Sequence, residues 1–570
     1  MNKEIYFSDL SDTVQVHVEG HRTITAPRNT PIGEILKMVQ KDCDAQIVGA
    51  VVNGSLRELT YLIEYESEAK PVTMSSPDGM RIYRRSLVML LETAFFDLFP
   101  DKLIVIDHSV SFGGYFCRLE GKHQLSEAEL KDLESRMHQL KEDNIAIERR
   151  EVPIEDALAY FESNGQTDKV SLLKNRKKDY LMMYYVGDHG DYHYGYMVPS
   201  TGFLKWFAIE PAEGGFTLRF PRRGSPEEIS PLHNYPRLLA TFRQYGDWLE
   251  LLEIDSVGML NEAINNNRIR EVILVSEALH TLNYTKIAGQ IADRKEEVRV
   301  VLIAGPSSSG KTTSSRRLSI QLLAHGLHPF PLELDNYFVD RDDNPRDAEG
   351  NLDFEHINAL DRERLNHDVK RLIAGEEVQL PKFDFHEGVS APGEIIRLKS
   401  NQIVILEGIH GLNPALLEEI PSINTYRIYI SALTQLNLDR HNRVSTTDTR
   451  LLRRIVRDAR TRGYSPQQTI ERWESVRRGE KNYIFPYQEN ADVMFNSALV
   501  YELSALKPLV EPLLRQVPFG TEAHMEVKRL MALLEWFLPV STKFIPDNSL
   551  MREFVGKSIL HDFKLWQAGE

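Results

Sequence analysis

The sequence predicts a multidomain α/β and α+β protein whose C-terminal half holds a parallel sheet flanked by helices. Two observations carry that reading. From residue 298, apolar β-branched runs (VRVVLIAG, 298–305; QIVILEGI, 402–409; TYRIYIS, 425–431) alternate with helical stretches, the pattern of strands buried on both faces. Upstream, short alternating strands and amphipathic helices mix without that regularity, as in α+β domains. With 570 residues and 42% apolar content the chain exceeds what one hydrophobic core serves.

Taken in order, TVQVHV (13–18) alternates with period two, PIGEILKMVQKD (31–42) has helical spacing, and IVGAVVNG (47–54) is a strand closing on the tight-turn pair Asn53-Gly54. These define a small β-rich module over 1–66. Residues 67–225 form an α+β domain, with helices expected over 84–99 and 125–143 and an extended aromatic stretch over 191–210. A helical connector follows over 226–290, then the α/β domain over 291–519, then a helical packing or subunit-contact extension over 520–570.

Charge and cysteine content exclude several classes. A formal net charge of −15 argues against a protein built wholly to coat nucleic acid. Cys43 and Cys117 are too few for a disulfide framework or a cysteine-rich zinc site, which fits a reducing cytosol. The opening MNKEIYFSDL is not a secretory leader, and no stretch reaches about 18 apolar residues, so no membrane partner and a cytoplasmic location are expected.

The chemistry concentrates at Gly305-Pro306-Ser307-Ser308-Ser309-Gly310-Lys311-Thr312, which fits G-x-x-x-x-G-K-[ST] between a predicted strand and a predicted helix. Glycines let backbone N–H groups approach phosphate oxygens, and the helix N-terminus adds its positive end. Lys311 supplies a cation and Thr312 a hydroxyl for Mg²⁺. Asp335 ends the predicted strand PLELD (331–335), where a carboxylate orients or deprotonates an acceptor hydroxyl. Glu407 ends VILEG, where an acid suits Mg²⁺. Arg450, Arg454 and Arg457 share a helix face in TRLLRRIVRDARTRG (449–463), as a lid closing over transferring phosphate would need.

Six motifs in family order resemble the uridine kinase and phosphoribulokinase family: GPSSSGKTTSSRRL, LDNYF, FEHINALD, PKFDF, ILEGI and RRIVRDARTRG, spanning about 298–515. The resemblance implies a P-loop NTPase fold and transfer of the ATP γ-phosphate to a hydroxyl of a nucleoside or related small molecule, with ATP and Mg²⁺ as cofactors. It implies Asp335 as base, with Lys311 and Arg457 catalytic. Residues 305–313, Thr313 included, with Arg454 and Arg462, would hold ATP, and Thr312 and Glu407 would serve Mg²⁺. Tyr337, Glu355, Phe383 and Phe385 would line the acceptor pocket, Glu355 standing where uridine kinases place a ribose-gripping aspartate. Two positions depart from uridine kinases: HEGVS follows FDF where they carry a base-reading histidine, and Tyr464 replaces a base-reading arginine.

The N-terminal half resembles threonyl-tRNA synthetase, first its TGS β-grasp module and then its second additional, or editing, domain, through VNGSLRELTYLI (52–63), 78–100 and 191–209. Where that family carries the histidines and cysteine of its editing centre, this chain has Arg85, Met89, His193 and Met197, so the hydrolytic chemistry is expected to be lost. No metal site is assigned to His189 or His193. An RNA-binding or ligand-sensing regulator is the alternative this half implies, with RNA as partner; an oligomer is compatible with the sequence.

Overall fold

The computed structural model describes residues 11–110, 113–121, 123–231, 235–346, 350, 352–353, 355–384 and 387–561. Phe385 of the expected acceptor pocket lies outside them.

The first module is a five-stranded mixed sheet in the order Thr23–Pro27, Thr13–Val18, Ser67–Thr73, Ile47–Val52, Ser55–Arg57. Thr13–Val18 buries its three valines and exposes the residues between them, as its period-two pattern requires. Asn53 and Gly54 both take positive φ (48° and 71°), the geometry of a two-residue hairpin turn. Ser67–Thr73 pairs in parallel with Thr13–Val18, so the sheet continues past residue 66. The helix expected over 31–42 narrows to a 3₁₀ turn at Lys37–Asp42; Gln40 reaches forward to Ile47 N and Ala45 O and tightens the last turn.

Helix α1 (Pro77–Leu98) runs through the core of the next region, capped by Ser76 and flanked by a four-stranded and a three-stranded antiparallel sheet. Glu127–Glu142 opens with a capping box from Ser126 and Glu129. Of the extended aromatic stretch, only His189–Tyr192 and Ala208–Ala212 are strands. Between them Thr201 Oγ1 donates to Leu140 O and accepts from Ile145 N, so side-chain bonds replace a ladder there.

Helix α2 (Ile269–Asp293) leads into the α/β half, where five parallel strands run in the order β2-β3-β1-β4-β5: β1 is Val300–Ala304, β2 His328–Glu333, β3 Gln402–Glu407, β4 Thr425–Ser431 and β5 Val493–Asn496. Every residue of β1 is buried, as a central strand covered on both faces must be. The β2 strand ends at Glu333, and Asp335 sits in the 3₁₀ turn Leu334–Tyr337 that follows rather than at the strand end. Helix α3 (Lys311–Ala324) leaves the phosphate loop and packs on α2, where Tyr284 Oη bonds Ser314 Oγ at 2.8 Å. Among the described residues no helix is long and apolar enough to cross a membrane.

The largest core runs from Ala157 and Phe161 through α2, the parallel sheet and the helix Glu502–Leu514 to Leu550 and Phe554, so segments from both halves and the C-terminal extension share it. A charged cluster ties the halves together at its edge. Lys169, 1% exposed, sits 2.8 Å from Asp191 and 3.0 Å from Asp439, the latter in the loop that precedes the arginine-rich helix. Replacing Lys169 by Met would leave two buried carboxylates facing each other. Denaturant unfolding of Lys169→Met should show a loss of about 3–5 kcal/mol, the cost of stripping one partner from a buried ion pair.

Candidate active site

Parallel pairing sets the site. Ile303 lies opposite Glu407, and Glu407 opposite Glu333, so the C-terminal ends of β1, β3 and β2 bring the phosphate loop, Glu407 and Asp335 to one edge of the sheet. Gly305 passes so close to β4 that a Cβ there would stand 1.9 Å from Ile430 O. Gly310 caps α3 with φ +88°, a left-handed conformation that frees the first N–H groups of the helix.

Lys311 Nζ rests on loop carbonyls, 2.9 Å from Gly305 O and 3.3 Å from Pro306 O. Burial lowers its pKa, and the Glu407, Glu553 and Glu480 carboxylates oppose that shift. Thr312 Oγ1 donates to Glu407 Oε1 at 2.9 Å; burial raises the pKa of Glu407 while Lys311 pulls it down. Asp335 is exposed and does not line the cavity formed by the loop, Glu407 and the arginines. The surrounding protein and then Glu333 raise its pKa, and Lys311 counters them.

Helix α4 (Thr446–Thr461) braces this loop from behind. Arg450 Nε donates to Ser307 O at 2.8 Å and pairs with Glu480, which also accepts Ser307 N at 2.8 Å. Arg453, fully buried, reaches Ser308 O and pairs with Glu502. Arg450 is therefore committed to holding the loop, not to closing over its mouth. The mouth is met by Arg454, whose Nη1 donates to Ser307 Oγ at 2.7 Å, and by Arg457 and Arg462; Asp458 gathers all three guanidinium groups.

A cavity of about 290 Å³ opens between these groups, lined by Ser307, Ser308, Gly310, Lys311, Thr312, Glu355, Glu407, Arg454, Arg457 and Arg462. The residues present fit a nucleotide's phosphates and a divalent cation. Ser308 Oγ and Ser309 Oγ are buried without a hydrogen-bond partner, and the Lys311 ammonium has only carbonyls to bond. Glu480 was not foreseen, and neither was Glu553, which lies against the N-terminus of α3, accepting from Thr313 Oγ1 at 2.8 Å and Thr313 N at 3.4 Å. No motif marks it, because its position depends on 240 residues of intervening chain.

The expected acceptor residues separate. Glu355 lines the cavity, while Phe383 packs on Phe338 with ring centres 5.8 Å apart. Tyr337 is 1% exposed and spends its hydroxyl on Asp368 Oδ2 at 3.1 Å, so it supports the pocket from within the core and does not line it. Tyr464 carries the Arg472 guanidinium over its ring at 4.4 Å. In the N-terminal half, Met89 and Met197 are buried core residues and Arg85 donates to Tyr196 O. His193 sits 3.3 Å from Glu92, in the cluster that also holds His189, Asp191 and His441.

Fold and loop together define a phosphate-loop nucleotide-binding protein. A family model described as the Phosphoribulokinase / Uridine kinase family matches residues 300–504. A uridine kinase from Ligilactobacillus salivarius is 30% identical over 205 residues, which cover 36% of this chain and 87% of that protein. The chain belongs to the phosphoribulokinase and uridine kinase family. Its N-terminal half is similar to threonine–tRNA ligases: that of Fusobacterium nucleatum is 28% identical over 185 residues (32% of this chain), and that of Legionella pneumophila 33% over 173 residues (30% of this chain). The chain spans 30% and 27% of the length of those two ligases. A solved D-glycerate 3-kinase from Cryptococcus neoformans is 16% identical with a TM-score of 0.25, covering 37% of this chain and 89% of that one.

Burial, with the nearby Glu480 and Asp353 carboxylates, pushes the Glu355 pKa up to about 7. A carboxyl with a raised folded pKa contributes stability below its unfolded value, near 4.5, that is lost as pH climbs through about 7. Thermal unfolding of Glu355→Gln should therefore show a variant more stable than wild type above pH 7, with the gap closing as pH approaches 4.5.

Proposed function

We propose that this protein is an ATP-dependent kinase that phosphorylates a hydroxyl of a nucleoside or related small molecule, with Asp335 as base. The observation that carries this reading is the cavity shared by the phosphate loop, Glu407 and three arginines, with Asp335 just past the end of the neighbouring strand β2 at the same sheet edge. Family membership supports phosphoryl transfer to a small molecule. Backbone N–H groups of 308–312, Lys311 and the α3 N-terminus would hold the β- and γ-phosphates; Arg454, Arg457 and Arg462 would meet the transferring group from the α4 side. Thr312 and Glu407 would hold Mg²⁺, which supplies charge neutralisation between the phosphates.

Asp335 takes the proton of the acceptor hydroxyl as its oxygen bonds to the γ-phosphorus. The bond to the bridging oxygen breaks and ADP leaves with that oxygen. A raised Asp335 pKa suits this role, since a stronger base accepts the proton more readily. At the acceptor end, Glu355 offers a hydrogen-bonding carboxyl. Tyr464 stacked under Arg472 presents no guanidinium fork of its own, so a pyrimidine base is not part of the proposal.

The test is a coupled ADP-release assay with ATP and Mg²⁺ against nucleosides, sugars, sugar phosphates and small alcohols, with Lys311→Ala as blank. One acceptor should stimulate wild type alone; a protein that no acceptor stimulates is not a small-molecule kinase. With that acceptor, Asp335→Asn should lower kcat by about 10²- to 10⁴-fold at unchanged KM for ATP, the scale of a lost general base. In the same assay Glu553→Gln should lower the KM for ATP, because it removes an anion from Thr313 N–H and Oγ1, two donors the phosphates need.

A further inference from the structure

A second cavity, of about 200 Å³, lies between α1 and the loop that enters α4, and it shares no lining residue with the ATP-side cavity. Seven arginines line it against one carboxylate, Asp448. Three of them are balanced: Arg529 by Asp448 and Glu526, Arg81 by Asp78 and Glu526, and Arg223 by Glu474. Arg84, Arg85, Arg443 and Arg477 have no carboxylate within ion-pair distance among the described residues. Arg85 donates to Tyr196 O at 2.6 Å and Arg443 to Ser109 Oγ at 2.5 Å, both neutral partners. The Arg84 Nε is buried with no hydrogen-bond partner, its guanidinium lying over the Phe220 ring at 4.8 Å.

Four guanidinium groups without an ion-pair partner around one small cavity, of which only Arg477 is offset at longer range by Glu474 and Glu480, are costly unless a ligand brings the countercharge. Burial lowers the pKa of Arg84, Arg85 and Arg477, which is the same cost seen from the proton's side. Guanidinium groups nonetheless stay protonated, and their planar forks match phosphate oxygens two at a time. Two helices also begin here: Pro77 of α1 and Ser445, the cap of α4, both line the cavity and turn positive helix ends toward it. A single carboxylate would leave most of the charge unmet, and the volume suits a phosphate with a compact organic group.

We propose that this cavity binds a small phosphate ester carrying two or more negative charges. It lies beside the positions where the synthetase-like domain has lost its editing residues, and residues of the kinase half from His441 through the first turn of α4 also line it. The site is therefore formed only where the two halves meet. The proposal stands independently of the kinase reading.

The test uses the full chain carrying Lys311→Ala, which silences the phosphate loop, in thermal-shift and calorimetric titrations with inorganic pyrophosphate, a hexose 6-phosphate, 5′-ribonucleoside monophosphates and a single-stranded RNA oligonucleotide. At least one phosphate ester should bind saturably and raise the melting temperature. Adding Arg84→Met should weaken that binding at least tenfold while holding or raising the unliganded melting temperature, because a guanidinium with no ion-pair partner and a buried, unbonded Nε has been removed. Arg443→Gln carries the same comparison should Arg84→Met fail to fold. No ester binding in the Lys311→Ala protein, binding unaffected by both cavity variants, or binding of RNA alone would each overturn the proposal.

Discussion

Everything at the sheet edge depends on keeping the phosphate loop open while its own backbone would rather satisfy itself. The loop has to present several N–H groups to one point, and within residues 305–312 only Gly305, Gly310 and the bonds of Lys311 and Ser309 to loop carbonyls help to enforce that. The enforcement comes from α4. Arg450 and Arg453 tie down the carbonyls of Ser307 and Ser308, and Glu480 holds Ser307 N, so the outward side of the loop is pinned and its inner side is left for phosphate. Positive charge thus works in two layers, one bonded to the protein and one turned to the cavity.

That division was only partly visible beforehand. The loop, the strands on either side and the amphipathic arginine helix follow from glycine spacing, β-branched runs and helical period, all local signals. Asp335 and Glu407 were legible because parallel sheets put strand ends together, although Asp335 falls two residues past its strand. What local patterns do not carry is direction across distance. Arg450 and Arg454 are one turn apart on the same face, yet one is locked to Glu480 and the other lines the cavity. Tyr337 sits in a motif that suggests a pocket wall, and only the contact with Asp368 shows it turned into the core.

The N-terminal half follows a different logic. Its strand Thr13–Val18 and α1 form where the strand and helix patterns announce them, but the surface turned toward the kinase half is rich in charge. Lys169, Asp191, Asp439 and His441 are buried there, with Asn442 bonded to both Asp439 and Tyr192 O. Apolar packing alone would tolerate sliding between the halves. Buried charges paired across the seam do not, because a displacement separates ions from their counterions. The relative position of the two halves is specified by this polar seam more than by the core beneath it.

The short helix Arg552–Val555 gives the chain an order in time. Glu553 completes the surroundings of Thr313, and Leu550 packs against Gly310, yet both are made about 240 residues after the phosphate loop. On a ribosome, β1 and α3 emerge long before the segment that seats against them. A nascent chain consequently carries its nucleotide loop without this cover until residues 550–553 are released. The C-terminal segment is thus the last part of the loop's surroundings to be made, and it contributes one carboxylate and one leucine.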